Sequence, residues 1–402
     1  MSFVDIDLGA SDTRYVGNNK IIRILPNRIA FDTNNGPNGF TPVELEVDNP
    51  DKIESCLEFI VTKDESGVAD AEKSTYFPMH FLMGSIAERS GLPFVSPVKD
   101  KHKTNQIVNY ASMIACMTMT KILDNIDDDE TTLGICLPYT HTTPDDIAKY
   151  KREITGKFEV FLPKYKGGTT ININVTKAGY ATEGVVSILS FFMNTDSIDN
   201  RGEDPFVKEN KKYSNPNYYT VSIDIGHSTT DFAVFKGSSL INSTVNTVNE
   251  GGISLVSAVT KALSKKEYGF SDSEIAEALS EGRIRIGASD RYIEFYDELK
   301  DAKEKLANSI YERMSKWFDE IGDIQAYKIG LVIVSGGGSL SSGYIDENGE
   351  FHETVPSIVD IMKDKIHDKF PGADIKRHSD DARMANIKGI FANSMIKLRS
   401  AN

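Results

Sequence analysis

A carboxylate followed by a small, hydroxyl-rich turn stands in the middle of the chain. Residues 221–231 read VSIDIGHSTTD and are followed by the apolar run FAVF. Two apolar, β-prone runs around such a turn predict a β-hairpin. Gly226 allows a close approach of the main chain, and Asp224 is suited to hold a hydrated Mg²⁺ beside a phosphate. Donors suited to phosphate oxygens come from Ser228, Thr229 and Thr230. Taken alone, the stretch is equally compatible with an ordinary glycine-centred hairpin.

The same pattern occurs a second time, at the N-terminus. Residues 4–13 read VDIDLGASDT and share the pattern V-x-I-D-[LI]-G-x-S-x-T with residues 221–230. Two copies in one chain predict two halves of related design, each with a phosphate-binding turn. In the first copy Asp7 occupies the position of Asp224. The residues at the turn of this copy are Gly9, Ala10, Ser11, Asp12 and Thr13.

A third glycine-rich element lies closer to the C-terminus. Residues 333–339 read IVSGGGS, an apolar strand that leads into three glycines. Without side chains, Gly336, Gly337 and Gly338 allow the main chain to lie close to a ligand. A triple glycine by itself is weak evidence, but here it follows two Asp-Gly hairpins in a fixed order.

The two hairpins and the triple-glycine loop together resemble the actin-like ATPase superfamily. The stretch 252–264 (GISLVSAVTKALS) is similar to the helix after the second phosphate loop of bacterial ParM-type actins, which segregate plasmids. The order of hairpins, helices and glycine loop also matches ParM. The resemblance implies an α/β, actin-like (ribonuclease-H-like) fold with two related domains around a nucleotide cleft. The implied cofactors are ATP, with GTP possible, and Mg²⁺.

The resemblance also assigns roles to individual residues. Asp7 and Asp224 correspond to the carboxylates that organise Mg²⁺ through water, and Glu183 to the residue that orients the attacking water. A glutamate that merely starts a helix is the alternative for Glu183. Arg14 stands where actins often carry a lysine directed at the phosphates; a guanidinium keeps the charge but changes the geometry. The remaining nucleotide contacts implied are the residues of the two turns and the helix start at Gly251 and Gly252. The glycine loop is implied as the adenosine site. His227 belongs to the second turn, but we interpret its side chain as a bystander.

Function is implied by the resemblance in the same way. Nucleotide-bound subunits of ParM-type actins stack into polar filaments, and slow ATP hydrolysis destabilises them. A DNA-binding adaptor at a centromere-like site links such a filament to its cargo. We therefore expect an ATPase that assembles with itself and moves plasmid or phage DNA, in the cytoplasm and without direct membrane contact.

Composition sets limits on these expectations. The formal net charge of −14 argues against unspecific binding of DNA or anionic membranes by the whole surface. No run of about 18 apolar residues occurs, so we expect no membrane-spanning segment. We also expect no signal peptide, because the chain is predicted to enter a strand directly after Met1. The three cysteines, Cys56, Cys116 and Cys136, lack metal-ligand spacing and are expected to be buried free thiols in a reducing cytosol.

The length of 402 residues predicts two or three domains. We expect domain I at 1–190, with a small inserted subdomain at about 35–75, and domain II at 191–379, with an insertion at about 265–325. The C-terminal helix, about 380–400, should pack back on domain I. Apolar periodicity predicts helices within 105–125, 145–154, 182–192, 249–263, 290–321 and 379–398. Residues 195–217 are polar and predict a surface linker.

Three other functions are compatible with parts of this pattern. A small-molecule kinase of the same superfamily needs an acceptor pocket with a catalytic aspartate, and no sugar-kinase motif occurs. A chaperone-like ATPase needs a separate peptide-binding domain, for which we expect no room after the last helix. A regulatory protein without hydrolysis would have no use for Asp7, Asp224 and Glu183.

Overall fold

The computed structural model describes residues 2–9, 12–31, 49–50, 53, 57–95, 102–193, 210–287, 291–346, 349–378 and 384–401. The chain divides into two compact units. Unit 1 comprises Met1–Thr182 and Asn393–Asn402, and unit 2 comprises Glu183–Ala392.

The described strands of unit 1 form one ten-stranded sheet, in the order β3-β2-β1-β8-β10-β9-β5-β6-β4-β7. The strands are β1 Ser2–Leu8, β2 Asp12–Val16, β3 Ile22–Pro26, β4 Ile29–Phe31, β5 Glu58–Lys63, β6 Met79–Met83, β7 Phe94–Val95, β8 Glu130–Leu137, β9 Gly156–Leu162 and β10 Thr169–Thr182. Every residue of β1 except Phe3 is buried, as expected for a strand covered on both faces.

The helices of unit 1 are α1 Ser85–Ser90, α2 Ile107–Leu123 and α3 Pro144–Ile154. Helix α2 is buried along most of its length, and its methionines Met113, Met117 and Met119 are inaccessible to solvent. They pack in the same hydrophobic core as β1 and β8, so the methionine-rich face is core.

Unit 2 contains a second large sheet, in the order β13-β12-β11-β17-β20 with β14 paired to β12, and two short hairpins. Its strands are β11 Tyr219–Ile225, β12 Thr230–Lys236, β13 Ser239–Leu240, β14 Asn246–Val248, β15 Arg283–Arg285, β16 Tyr292–Glu294, β17 Ile329–Ser335, β18 Ser342–Ile345, β19 Phe351–Val355 and β20 Asp374–Arg377. Its helices are α4 Val185–Phe192, α5 Ile253–Ser264, α6 Asp272–Ala278, α7 Tyr296–Ile321 and α8 Ile358–Lys369. The last helix, α9 Ala385–Ala401, begins in unit 2, and its residues from Asn393 group with unit 1, where the Ser394 hydroxyl donates to Asp5 at 2.8 Å.

The two large sheets repeat one arrangement of strands. In unit 1, β2 pairs antiparallel with β1 and with β3, and the parallel strands β8 and β10 follow on the other side of β1. In unit 2, β12 pairs antiparallel with β11 and with β13, followed by the parallel strands β17 and β20. The prediction of two halves of related design is therefore confirmed.

Most predicted elements are present, with one wrong boundary. Both hairpins, the strand before the triple glycine and the long helix α7 form where they are predicted. The predicted helix 182–192 starts too early, because β10 continues to Thr182 and α4 begins only at Val185. Gly184 lies between them with a φ of +70°, which ends the strand and is unfavourable within a helix. In the predicted insertion at 35–75, most positions before residue 57 lie outside the described residues. The same holds for residues 194–209 of the predicted linker.

Two further expectations concern the cysteines and membranes. Cys116 and Cys136 are buried and form no disulfide, as expected, and burial raises the pKa of Cys116 well above its usual value. Cys56 lies outside the described residues. None of the described helices combines the length and the apolarity needed to cross a bilayer.

Candidate functional site

The second hairpin places two carboxylates opposite each other. In the β11–β12 register Asp224 pairs with Asp231 and Ile225 with Thr230, and the Gly226 amide closes the turn by donating to the Thr229 carbonyl at 2.9 Å. Directly opposed residues project from the same face of a sheet. Asp224 and Asp231 are 2% and 3% exposed, so their like charges are largely removed from water.

Hydrogen bonds from three other elements hold these carboxylates in place. The Ser335 hydroxyl, at the end of β17, donates to Asp224 Oδ1 at 3.0 Å, and the Asn386 amide, on α9, donates to Oδ2 at 2.9 Å. The Thr247 hydroxyl, on β14, donates to Asp231 Oδ1. These hydrogen bonds hold both carboxylates at fixed positions.

Glu183 extends from a turn that packs directly on this pair. The carbonyl of its neighbour Gly184 accepts hydrogen bonds from the hydroxyls of Ser222 at 3.0 Å and Ser187 at 2.9 Å. A Cβ atom on Gly184 would lie 3.1 Å from the Cβ of Asp231 and 3.5 Å from that of Asp224. A side chain here would be crowded and would also meet a φ of +70°, which favours glycine. Unit 2 thus brings the turn that carries Glu183 beside two buried aspartates. Glu183 itself is 9% exposed.

The triple-glycine loop packs against the end of β11. A Cβ atom on Gly336, whose φ is +85°, would lie 2.3 Å from the Ile225 carbonyl oxygen and 2.6 Å from Asp224 Oδ1. A Cβ atom on Gly338 would lie 2.6 Å from Ile225 Cγ2. Two of the three glycines are therefore required by the contact with the hairpin, whereas Gly337 is exposed.

The start of α5 is adjacent to the same turn, but its first amides are not free. The amide of Gly252, a predicted nucleotide contact, donates to the Gly226 carbonyl at 2.9 Å, and the Ile253 amide donates to the His227 carbonyl at 2.7 Å. A Cβ atom on Gly251 would lie 2.6 Å from the Gly226 oxygen. Helix α5 thus supports the turn, and the hairpin carbonyls satisfy its N-terminal donors.

The hydroxyl residues of the second turn differ in accessibility. Thr230 is fully buried and its hydroxyl donates to the Glu250 carbonyl at 2.6 Å, so this side chain stabilises the turn and does not face a ligand. Ser228 and Thr229 are half-buried, and His227 is exposed. Among the hydroxyl residues of this turn, Ser228 and Thr229 are therefore the ones that retain partial exposure to solvent.

The first hairpin has the same register with a different partner for its aspartate. Asp7, 6% exposed, pairs with Arg14 across β1 and β2, and Leu8 pairs with Thr13. An Arg14 guanidinium nitrogen lies 3.7 Å from the Asp7 carboxylate, and another lies 3.7 Å from Asp12. Here a cation faces the aspartate that the two hairpins share, whereas in the second hairpin Asp231 occupies the position of Arg14.

Asn27 organises the interior of the first turn. Its Oδ1 accepts hydrogen bonds from the hydroxyls of Thr13 at 2.6 Å and Ser112 at 3.0 Å, and its amide donates to the Gly9 carbonyl. Thr13 is fully buried, so its side chain holds the hairpin together. The predicted contacts Ala10 and Ser11 lie outside the described residues.

Sequence reasoning missed Asp231, Ser335, Asn386 and Asn27. Asp231 could have been identified from the sequence, because it lies seven residues after Asp224 in a hairpin whose turn the sequence predicts. Ser335 and Asn386 are brought to the second turn by a strand and a helix that lie far away in sequence, and Asn27 reaches the first turn from the segment between β3 and β4, so no local pattern identifies them.

Comparison with known proteins supports this geometry at the level of the fold. Residues 222–343 match a family model described as the C-terminal part of the archaeal actin homologue MreB-like proteins. The solved structure of the actin-like protein Alp7A matches with a TM-score of 0.70 at 15% identity, covering 99% of this chain and 97% of that one. This chain has an actin-like fold.

Two other solved structures extend the comparison of this actin-like chain. The archaeal actin homolog Ta0583 matches with a TM-score of 0.66 at 17% identity, covering 99% of this chain and all of that one. A ParM from a 15-stranded filament of Clostridium botulinum matches with a TM-score of 0.61 at 14% identity, covering 98% of this chain and 99% of that one. The resemblance to actin-like proteins, ParM among them, is confirmed. No curated protein matches the chain by sequence.

The residues of unit 2 fit Mg²⁺ with its waters. Mg²⁺ keeps several waters and takes few carboxylates, so it does not require the carboxylates to converge on one point. Asp224 and Asp231 are buried, opposed and hydrogen-bonded, so the second hairpin offers two carboxylates held at fixed positions on one face of the sheet.

Proposed function

We propose that this protein is a nucleotide-dependent, filament-forming actin homologue that hydrolyses ATP slowly. The observation that carries the proposal is the contact between the turn of Glu183 and the buried pair Asp224 and Asp231, within an actin-like fold. Support for a nucleotide ligand comes from Ta0583, a protein of similar fold that has been solved in complex with ADP. The nucleotide is ATP, with GTP as the alternative.

We assign the phosphates to the two hairpin turns. Gly9 and Gly226 let the main chain approach phosphate oxygens, and Ser228 and Thr229 add hydroxyl donors. Arg14 contributes positive charge in the first hairpin, where Asp7 orients it. We assign the nucleoside to the glycine loop, where exposed Gly337 presents main chain without a side chain.

We assign Mg²⁺ to the second hairpin, where Asp224 and Asp231 would hold it through water. Asp7 takes a secondary part, because Arg14 already compensates its charge. The cation neutralises triphosphate charge when it is bound. Glu183 accepts a hydrogen bond from the attacking water and orients it, and phosphoryl transfer to water needs little more than such positioning and charge compensation.

Assembly is the second part of the proposal. The ParM of Clostridium botulinum forms a 15-stranded filament, and we extend self-assembly to this chain of similar fold. ATP binding drives polymerisation and hydrolysis drives disassembly, so that the catalytic rate sets filament lifetime. We further propose that such filaments move plasmid or phage DNA through a DNA-binding adaptor.

Sedimentation tests this proposal against a small-molecule kinase. Purified protein should pellet with Mg²⁺ and ATP and stay in the supernatant without nucleotide. Asp224→Ala should abolish the nucleotide-dependent pelleting, because triphosphate charge is then poorly compensated. A protein that never pellets across salt and concentration, and whose ATP consumption depends on an added sugar or carboxylic acid, is a kinase.

A further inference from the structure

A lysine outside the hairpin motifs reaches the first phosphate turn. Lys103 lies in the short 3₁₀ helix Lys103–Asn105, ahead of α2. Its ammonium donates to the carbonyl of Leu8, the last residue of β1, at 2.5 Å. Leu8 directly precedes Gly9, so this contact places a positive charge where the main chain enters the turn.

The main chain of Lys103 is fixed on both sides. Its amide donates to His141 Nδ1 at 3.3 Å, and its carbonyl accepts from the Asn109 side chain at 2.9 Å. Burial first, and then the neighbouring His102 and Lys103, lower the pKa of His141 to about 4. The His141 ring is therefore neutral at physiological pH, so its Nδ1 can accept from the Lys103 amide.

A buried carboxylate anchors the residues on either side of Lys103. Asp146, at the start of α3, accepts hydrogen bonds from His102 at 2.8 Å and from the Thr104 hydroxyl at 3.0 Å. The rings of His102 and His141 stack with centroids 4.5 Å apart. One carboxylate and one ring pair thus hold Lys103 as part of a rigid segment, in which the lysine side chain extends toward β1.

The charges of the first hairpin explain why a second cation is useful there. Arg14 is the cation of this hairpin itself, and it lies 3.7 Å from both Asp7 and Asp12. Two carboxylates therefore compete with any phosphate for one guanidinium. A lysine ammonium has three donors and can serve a main-chain carbonyl and a phosphate together.

We propose that Lys103 binds the phosphates of a nucleoside di- or triphosphate at the first hairpin. The inference rests on the proposed function and adds a phosphate contact from outside the repeated motif. The hydrogen bond to Leu8 holds the ammonium beside the turn. The lysine side chain therefore loses little conformational entropy when nucleotide binds.

Calorimetric titration with ATP, ADP and adenosine tests the assignment. Lys103→Met keeps the aliphatic stem and removes the charge, and Lys103→Arg restores it. Lys63→Met is the matched control, since Lys63 is also half-buried and donates to a main-chain carbonyl at 2.5 Å, but lies on β5, four strands from β1. Lys103→Met should weaken ATP and ADP binding about 10-fold or more, the effect of losing a charge-assisted hydrogen bond. Adenosine binding and the Lys63→Met protein should match the parent.

Two readouts separate a phosphate contact from a purely structural role. Loss of a phosphate-binding cation should reduce the dependence of ATP affinity on salt, and Lys103→Arg should recover most of that affinity. Equal losses for ATP and adenosine, an unchanged salt dependence, or ATP affinity within about twofold of the parent in a folded Lys103→Met protein overturns the inference. If Lys103→Met is unfolded by circular dichroism, the comparison of Lys103→Arg with Lys103→Gln decides in the same way. A parent protein that binds no nucleotide overturns the proposed function itself.

Discussion

Asp224 and Asp231 face each other across the β11–β12 hairpin with almost no exposure to solvent. Like charges directly opposed on a sheet destabilise it, and burial strengthens their repulsion. The corresponding pair in the first hairpin is Asp7 and Arg14, which attract each other. The repeated fold thus carries two chemically different turns: the first opposes an aspartate to an arginine, and the second opposes an aspartate to an aspartate.

Neutralising one of the opposed aspartates should stabilise the protein when Mg²⁺ is absent. Asp231→Asn removes the repulsion and keeps an oxygen that can accept from Thr247. We expect the melting temperature in EDTA to rise by about 2–4 °C, which corresponds to roughly 1 kcal/mol, and the stabilisation by Mg²⁺ and ATP to shrink. Thermal unfolding with and without Mg²⁺-ATP measures both effects. Asp374→Asn is the control, because Asp374 pairs with Lys212. A lower melting temperature of Asp231→Asn in EDTA contradicts this electrostatic account.

The glycine loop should tolerate no side chain at its first position. Gly336→Ala and Gly349→Ala both place a Cβ at a positive φ, +85° and +81°, which costs about 1–2 kcal/mol. Gly349 has open space around it, whereas Gly336 abuts Ile225 and Asp224. Urea unfolding should show that Gly336→Ala is destabilised by a further 1–3 kcal/mol or so, the usual effect of overpacking. Equal losses for the two variants would show that the loop moves away without difficulty.

Stability should depend on pH through Lys303, a buried residue of α7. Its ammonium donates to the Leu340 carbonyl at 3.0 Å, the Ser342 hydroxyl at 2.9 Å and the Pro356 carbonyl at 3.3 Å. Burial lowers the pKa of Lys303 to about 8, although Glu353 raises it. Between this value and the ordinary one of 10.5 the unfolded chain binds more protons than the folded one, so this residue makes stability rise with pH.

The measurement is the difference in unfolding free energy between the parent and Lys303→Met at pH 7 and pH 9.5. The difference should shift in favour of the parent by about 1–2 kcal/mol at the higher pH. Taking the difference cancels the titration of all other groups. A difference that is constant over this range means that Lys303 has an ordinary pKa in the folded protein.

Much of the fold could be predicted from the sequence, because its signals are local. The hairpins at Gly9 and Gly226 follow from alternating apolar runs around small residues, and the repeated motif predicted the repeated sheet order. The early start assigned to α4 shows the limit. The apolar run after Thr182 has helical periodicity, but Gly184 with its positive φ separates strand from helix.

The site was predictable only where its residues share a motif. Asp7 and its glycine turn belong to one copy of the repeated motif, and Asp224 and its glycine turn belong to the other. Ser335 and Asn386 reach the second turn from a distant strand and a distant helix, and Asn27 reaches the first turn from the segment after β3; no local periodicity specifies these contacts. Thr13 and Thr230 carry hydroxyls of the kind that bind phosphate, but both side chains are buried and stabilise the hairpins instead.

Glu183 should affect hydrolysis without affecting assembly. If it orients water, it stabilises the transition state more than bound ATP. Glu183→Ala should slow phosphate release by about 10²-fold and prolong filament lifetime accordingly. Glu274→Ala is the control for a glutamate that merely starts a helix, because Glu274 forms the capping box of α6 with Ser271. Phosphate release at the parental rate from Glu183→Ala would assign the water-orienting role to another residue.

Light scattering and phosphate release, recorded together on one sample with limiting ATP, test the central claim most directly. With Mg²⁺ and ATP, scattering should rise at micromolar protein, persist while ATP remains, and fall as phosphate release reaches its plateau. A second addition of ATP should restore scattering, and a non-hydrolysable analogue should give polymer that does not decay. Scattering that never rises, or that rises equally without nucleotide and stays constant while ATP is consumed, would contradict a filament controlled by its own ATP hydrolysis.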